Sequence, residues 1–151
     1  MSYRHLFTVL LLFGCSTLFG QTVTIQTGGT WNILITSVAT PGNNPINNIE
    51  SPVNQASLKV KYSGDWIVYV NKADVSWHNN FRLYVQRTGD GNGGGSISDG
   101  GTYQLIIDSA TLFFQGNKNR NAIDVQYLLT SSGSVPASYY VTSVEYTIVG
   151  L

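Results

Sequence analysis

Residues 81–87 read FRLYVQR, and residues 56–62 read ASLKVKY. In the first stretch Phe81, Leu83 and Val85 alternate with polar or amphipathic residues, and the second stretch alternates apolar residues with lysine. Successive side chains on a β-strand point to opposite faces, so a period of two predicts strands with one apolar face. Both stretches are therefore predicted as half-buried strands.

The same alternation recurs on both sides of these two stretches, between turns rich in glycine, asparagine, serine and proline. It predicts about eight or nine strands: 22–26, 31–39, 56–62, 66–71, 81–87, 103–107, 111–114, 123–130 and 139–149. The longer connections are a loop with three prolines at 40–52 and a glycine-rich loop at 89–101. Because no stretch predicts the crossover helix that parallel neighbours need, the predicted fold class is all-β, an antiparallel Ig-like β-sandwich.

The first twenty residues, MSYRHLFTVLLLFGCSTLFG, differ from the rest of the chain. A short basic piece with Arg4 precedes an apolar run at residues 6–14, which is the layout of a secretory signal peptide. The run is shorter than the ~20 apolar residues that a membrane-spanning helix requires. We predict a signal peptide at 1–20, a single β-sandwich domain at 21–151, and a secreted, outer-surface or periplasmic location.

Two cleavage positions fit this segment. Cleavage after Gly20 leaves Gln21 as the first residue, whereas the letters LFGC at 12–15 resemble a bacterial lipobox that would make Cys15 a lipid anchor. Only the second position predicts attachment to a membrane. Cys15 is the only cysteine, so the first position leaves no thiol for catalysis or metal binding.

The charge pattern argues against nucleic acid as a partner. The chain has eight Lys and Arg residues against eight Asp and Glu residues, and the nearest thing to a basic cluster is Lys59 and Lys61 on one predicted strand face. Binding to a phosphate backbone requires clustered basic residues. We predict no nucleic-acid partner.

No pattern indicates an enzyme. His78 is the only histidine after residue 20, and no G-x-S-x-G motif occurs. The letters GDGNGG at 89–94 match a dinucleotide motif, but GSISDG at 95–100 does not predict the helix that would hold the phosphates. We predict no catalytic residues, no cofactor and no metal site.

Aromatic residues offer the one candidate ligand site. Trp77 lies in a predicted loop beside Asn79 and Asn80, and exposed aromatic rings with neighbouring amides are a common way to bind sugars. Packing against the core is the alternative role for Trp77. If the ring is exposed, these three residues are the predicted ligand-binding residues for a glycan.

The last third of the chain carries a family resemblance. Residues 110–116 read ATLFFQG, residues 120–130 read RNAIDVQYLLT, residues 135–148 read VPASYYVTSVEYTI, and residues 65–70 read DWIVYV. These segments resemble bacterial exported β-sandwich domains of the fimbrial-subunit and spore-coat-U-like kind, and similar endings occur in WxL-like surface domains. The residues after Gly20 include no cysteine pair, so the resemblance does not imply chaperone–usher assembly.

The resemblance implies a structural or adhesion-type protein at a bacterial cell surface, without catalytic residues. We therefore expect contacts with other surface or matrix proteins or with further copies of the chain, by strand pairing along an exposed edge. The alternative expectation is a carbohydrate-binding module that uses exposed aromatic residues.

Overall fold

The computed structural model describes residues 5–10, 20–35, 48–136 and 138–151. These residues form strands and turns and include no helix. The strands are β1 (His5–Leu10), β2 (Thr22–Gly28), β3 (Thr30–Ile35), β4 (Ile49–Glu50), β5 (Ala56–Lys61), β6 (Asp65–Ser76), β7 (Phe81–Arg87), β8 (Asn92–Gly93), β9 (Ile97–Ser98), β10 (Gln104–Leu105), β11 (Thr111–Asn117), β12 (Arg120–Ser131) and β13 (Val141–Gly150).

The strands form two sheets. Sheet A has the order β3-β1-β13-β6-β11-β9, and sheet B has the order β10-β7-β12-β5-β2, with β4 and β8 also paired to β12. Every described pairing is antiparallel except β1 with β13, which is parallel. The prediction of an all-β chain with antiparallel sheets is confirmed, and the β1–β13 pair departs from it.

Alternate residues of strands in both sheets are buried in one apolar core, which lies between the sheets. Trp66 is fully buried, its indole N–H donates to the Lys118 carbonyl at 2.8 Å, and its ring meets Phe114 edge-on at 5.9 Å. Trp31 of β3 stacks on Tyr127 of β12 at 6.3 Å. Burying each such large side chain stabilises the fold by about 1.5–3 kcal/mol, so these residues fix how the two sheets pack.

All nine predicted strands appear, most of them with shifted ends. The strand predicted at 66–71 runs to Ser76, and the one predicted at 103–107 shortens to β10. The strands β1, β4, β8 and β9 were not predicted, and two of them lie inside the glycine-rich loop. Residues 36–39 of the second predicted strand lie outside the described residues.

Two arginines hold the glycine-rich loop in place. Arg87 donates to the carbonyl of Asp99 at 2.9 and 3.0 Å and pairs with the carboxylate of Asp90. Arg120, buried at the start of β12, donates to the carbonyls of Asp90 at 2.8 Å and Gly95 at 2.7 Å. The loop is therefore an ordered part of the domain, and no helix follows its G-x-G-x-x-G letters.

The chain crosses from sheet B to sheet A at Gly28 and Gly29. Both have positive φ angles, of 78° and 128°, which side-chain-bearing residues rarely adopt. A Cβ atom at Gly28 would also overlap the carbonyl oxygen of Gln55. This crossover places β2 at the edge of one sheet and β3 in the other.

Strand β1 lies within the segment predicted as a signal peptide. It is the only described strand that pairs with β3, through six residue pairs from His5–Ile35 to Leu10–Thr30. It meets β13 at only two positions, Thr8–Val141 and Val9–Thr142. Cys15, the predicted alternative lipid anchor, lies outside the described residues.

Candidate binding pocket and open sheet edge

A pocket of about 270 Å³ opens beside the C-terminal half of β6. The start of β7 and the segment that follows β10 form its other walls. The lining residues are Lys72, Asp74, Trp77, Asn79, Phe81, Arg82, Leu83, Leu105, Ile106, Ile107 and Asp108. Phe81, Leu83 and Ile106 are buried and belong to the core, so the pocket has an apolar floor and a charged rim.

The segment after β10 closes this side of the domain by bonding to both sheets. The amide of Ile106 donates to the Leu83 carbonyl in sheet B at 2.9 Å, and the amide of Lys72 in sheet A donates to the Ile107 carbonyl at 2.9 Å. Leu105 and Ile107 remain partly exposed at the pocket mouth. The pocket walls are therefore held by backbone hydrogen bonds.

Lys72 is the central charged group of the rim. Its ammonium pairs with the carboxylates of Asp74 and, at 2.9 Å, Asp108, and lies 5.7 Å from the ring centre of Trp77. Burial lowers the pKa of Lys72, but hydrogen bonds and charge attraction from the two aspartates outweigh that effect and raise the pKa overall. Lys72 is therefore a charged anchor and not a neutral amine available as a nucleophile.

Two of the three residues predicted for ligand binding line this pocket. Asn79 is exposed at the rim, and its carbonyl accepts a hydrogen bond from the guanidinium of Arg82. Trp77 is only half-buried, but its ring packs against Phe81 at 5.2 Å while Lys72 lies over it. The expectation of an exposed stacking platform therefore applies to part of the Trp77 ring only.

Asn80 does not line the pocket and has a structural role. Its side-chain amide donates to the Ser134 carbonyl at 2.9 Å, its backbone N–H donates to His78 Nδ1 at 3.1 Å, and its carbonyl accepts from the Ser132 amide at 2.8 Å. These bonds tie the turn before β7 to the turn after β12. The alternation of residues could not show this, because Ser132 and Ser134 are 52 and 54 positions away along the chain.

Lys72 and Asp108 were not predicted as site residues from the sequence. Lys72 and Asp74 are two residues apart on β6 and thus share one face, which is a signal that could have paired them. Asp108 comes from a loop whose return to sheet A depends on tertiary contacts. Composition alone cannot show that three charges meet at one rim.

Among residues 5–10, 20–35, 48–136 and 138–151, no three His, Cys, Asp or Glu residues come together as metal ligands would. The carboxylates of Asp90 and Asp99 in the glycine-rich loop are bonded to Arg87 and Gln115, respectively. No helix long and apolar enough to cross a membrane occurs in the part of the chain that the structure describes.

A second candidate site is the edge of β13 that faces away from β6. On one side β13 pairs with β6 along its whole length, from Val141–Ser76 to Gly150–Trp66. On the other side no described strand pairs with it beyond Thr142. The amide of Gly150 donates to the side-chain oxygen of Gln21 at 2.7 Å, which caps the strand's end. Residues 143–149 thus form an edge without a described strand partner.

This edge lacks the usual protection against strand pairing. Natural edge strands are often very short, or carry lysine or proline that discourages another strand. Strand β13 is ten residues long and has neither, and Glu145 is its only charged residue. By contrast, one end of each sheet is formed by a two-residue strand, β9 in sheet A and β10 in sheet B, whereas the other end of sheet B is the seven-residue β2.

The outer face of sheet A beside this edge is partly apolar. Tyr69 lies between Leu112 on β11 and Thr147 on β13, and Ile67 pairs with Val149. Leu112 and Val149 are 41% and 44% exposed, so apolar surface reaches the edge strand.

Comparison with protein-family models, with curated proteins and with solved structures finds no match to this chain. The pocket and the edge of β13 are therefore the features of the molecule that bear on its function.

Proposed function

We propose that this chain is an exported bacterial protein of broadly Ig-like β-sandwich form that acts outside the cell, in a structural or adhesion-type role. It makes protein–protein contacts and carries out no catalysis. The observation that supports this role best is the edge of β13 at residues 143–149, with which no described strand pairs on the side away from β6. The Tyr-, Thr- and Val-rich strands and the fimbrial-like resemblance point to the same role.

The physical reason is the chemistry of an unpaired strand. Its backbone N–H and C=O groups are directional, and an extended segment from another molecule can satisfy them by extending the sheet. Alternate side chains then decide which segment fits. The two-residue strands β9 and β10 offer little backbone for such pairing at one end of each sheet, so among the described strands the long edges are β13 in sheet A and β2 in sheet B.

The experiment is to recover the exported protein, determine its intact mass, and measure its binding to the producing cells and its assembly state by sedimentation. Surface binding or assembly beyond a monomer is expected. A chain that stays monomeric at high concentration and binds no surface component would reject the role. A mass that starts at Gln21 indicates a soluble product, whereas an acylated Cys15 would indicate a lipid-anchored one.

A second candidate function is glycan binding in the pocket beside β6. The apolar floor at Phe81 and Leu83 and the rim groups of Asn79 and Arg82 together offer what a sugar ring needs, which is apolar contact and directional polar partners. Trp77→Ala is a poor test because the ring also packs on Phe81.

Asn79→Ala is the sharper test, since the Asn79 side chain is exposed at the rim. A glycan-array signal that falls in Asn79→Ala but not in the exposed control Asn54→Ala would support the second function. No signal with any glycan would reject it.

A further inference from the structure

We infer that two copies of the processed chain pair through residues 143–149 of β13, antiparallel and edge to edge, so that sheet A continues from one copy into the other. The inference rests on the proposed surface-contact function and on removal of residues 1–20. Removal of that segment takes away β1, the only described strand that pairs with Val141 and Thr142 on the side away from β6, and leaves no described strand beside that edge of β13.

None of the described strands of the processed chain other than β6 pairs with β13. The first residue of the processed chain would be Gln21, whose side chain is held at the C-terminal end of β13 by the 2.7 Å hydrogen bond from Gly150. From there the chain enters β2, which pairs with β5 in sheet B. Strand β3 joins sheet A near the N-terminal end of β13. With β1 in place, Asn32 and Trp31 of β3 lie across β1 from Val141 and Thr142.

Complete overlap of the open stretch defines one register. If residues 143–149 of two antiparallel strands overlap fully, residue 143 lies opposite residue 149 and the local twofold axis passes through Tyr146. Glu145 of one copy then lies opposite Thr147 of the second copy, on the outer face. If the twofold axis passed through residue 145 instead, Glu145 of one copy would lie opposite Glu145 of the other, and like-charge repulsion disfavours that register.

The charge pattern thus favours a second copy as the occupant. The single carboxylate of the strand is one position from the axis, where it meets a neutral hydroxyl and not its own copy. The flanking pairs join Ser143 with Val149, and residues 144, 146 and 148 continue the buried face. Two copies of this strand can therefore pair in this register without placing like charges opposite each other.

The experiment uses protein recovered after export, with its intact mass determined, and sedimentation equilibrium to measure the dimer dissociation constant. We expect a mass that starts at Gln21 and a dimer. Thr147→Glu should weaken the dimer by about tenfold or more, because it places a second carboxylate opposite Glu145 twice per dimer. Thr147→Lys should keep the dimer, since lysine meets Glu145 there.

Two further variants complete the test. Glu145→Lys on the Thr147→Glu background should restore the dimer by reversing one charge. Thr130→Glu, which adds the same charge on the outer face of sheet B, is the control and should leave the dissociation constant unchanged. Circular dichroism verifies that every variant is folded, and Thr147→Lys covers the case in which Thr147→Glu does not fold.

Three outcomes would overturn the inference: an exported mass that retains residues 1–20, a monomer at every concentration, or equal effects of Thr147→Glu and Thr147→Lys. Binding to producing cells is measured on the same samples. A monomer that still binds the cell surface would overturn only the self-pairing. A monomer that binds nothing would overturn the proposed function as well.

Discussion

The hydroxyl oxygens of Tyr127 and Tyr146 lie 2.8 Å apart in the core, and the two residues belong to different sheets. Both side chains are buried, and Tyr127 also stacks on Trp31. A polar contact between two sheets fixes their relative position more narrowly than apolar packing does, because a hydrogen bond is directional.

The first prediction concerns this contact. Tyr146→Phe should lower the free energy of unfolding by about 1–3 kcal/mol, since it leaves the Tyr127 hydroxyl buried without its partner. The double variant with Tyr127→Phe should cost less than the sum of the single changes. Urea unfolding measures both, with the exposed Tyr139→Phe as the control. Strict additivity would contradict a direct bond.

The second prediction is a loss of stability in alkaline solution. Burial raises the pKa of Tyr127, which its hydrogen bond with Tyr146 lowers only in part, and burial together with Tyr127 raises the pKa of Tyr146. The folded state therefore favours the protonated phenols. Their contribution is fully present below the unfolded pKa of about 10 and is lost as the pH rises above it.

The measurement for this second prediction is the free energy of unfolding as a function of pH, together with the absorbance of phenolate. The double Tyr127→Phe, Tyr146→Phe variant should lose less stability above a pH of about 10 than the natural chain does. An identical pH dependence in both proteins would show that these two phenols do not carry the effect.

The third prediction tests a close approach in β11. A Cβ atom at Gly116 would lie 2.6 Å from the Trp66 ring and 2.7 Å from the Ser96 carbonyl. Gly116→Ala should therefore lower the free energy of unfolding by ~1–3 kcal/mol, since the ring is fully buried and cannot move freely. Gly101→Ala is the matched control, because a Cβ atom there meets nothing within 4 Å. Equal stability of the two variants would contradict the packing around Trp66.

The fourth prediction concerns the glycine-rich loop. Arg120→Met should lower the free energy of unfolding by about 1.5–3 kcal/mol, because it removes charged hydrogen bonds to the carbonyls of Asp90 and Gly95. Hydrogen exchange of the loop amides should accelerate selectively. Lys61→Met, which changes an exposed strand lysine, is the control. Unchanged exchange in the loop would show that Arg120 does not order it.

The sequence allowed the strands to be predicted because their period is local. Phe81, Leu83 and Val85 are buried as their alternation requires, and β7 has the predicted bounds. Short strands such as β8 and β9 were missed because their pairing with β12 and β11 depends on distant partners. Extension of β6 to Ser76 was missed for the same reason, since β13 supports it.

The candidate site was predicted only in part. Trp77 and Asn79 were selected from local composition, and both line the pocket. Asn80 has the same local surroundings, but its side chain bonds to a turn 54 residues away. The position of β13 relative to an edge of sheet A could not be predicted from its sequence, because strand order depends on tertiary contacts.

The two-residue strands β9 and β10 also limit the number of long sheet edges on the domain. They blunt one end of each sheet, but sheet B still ends in the seven-residue β2, whose described strand partner is β5. If two copies pair through β13, the contact uses the same edge on both partners and leaves no further β13 edge free, so assembly by this contact alone stops at two. Growth into a fibre would require a second and different contact, such as one along β2.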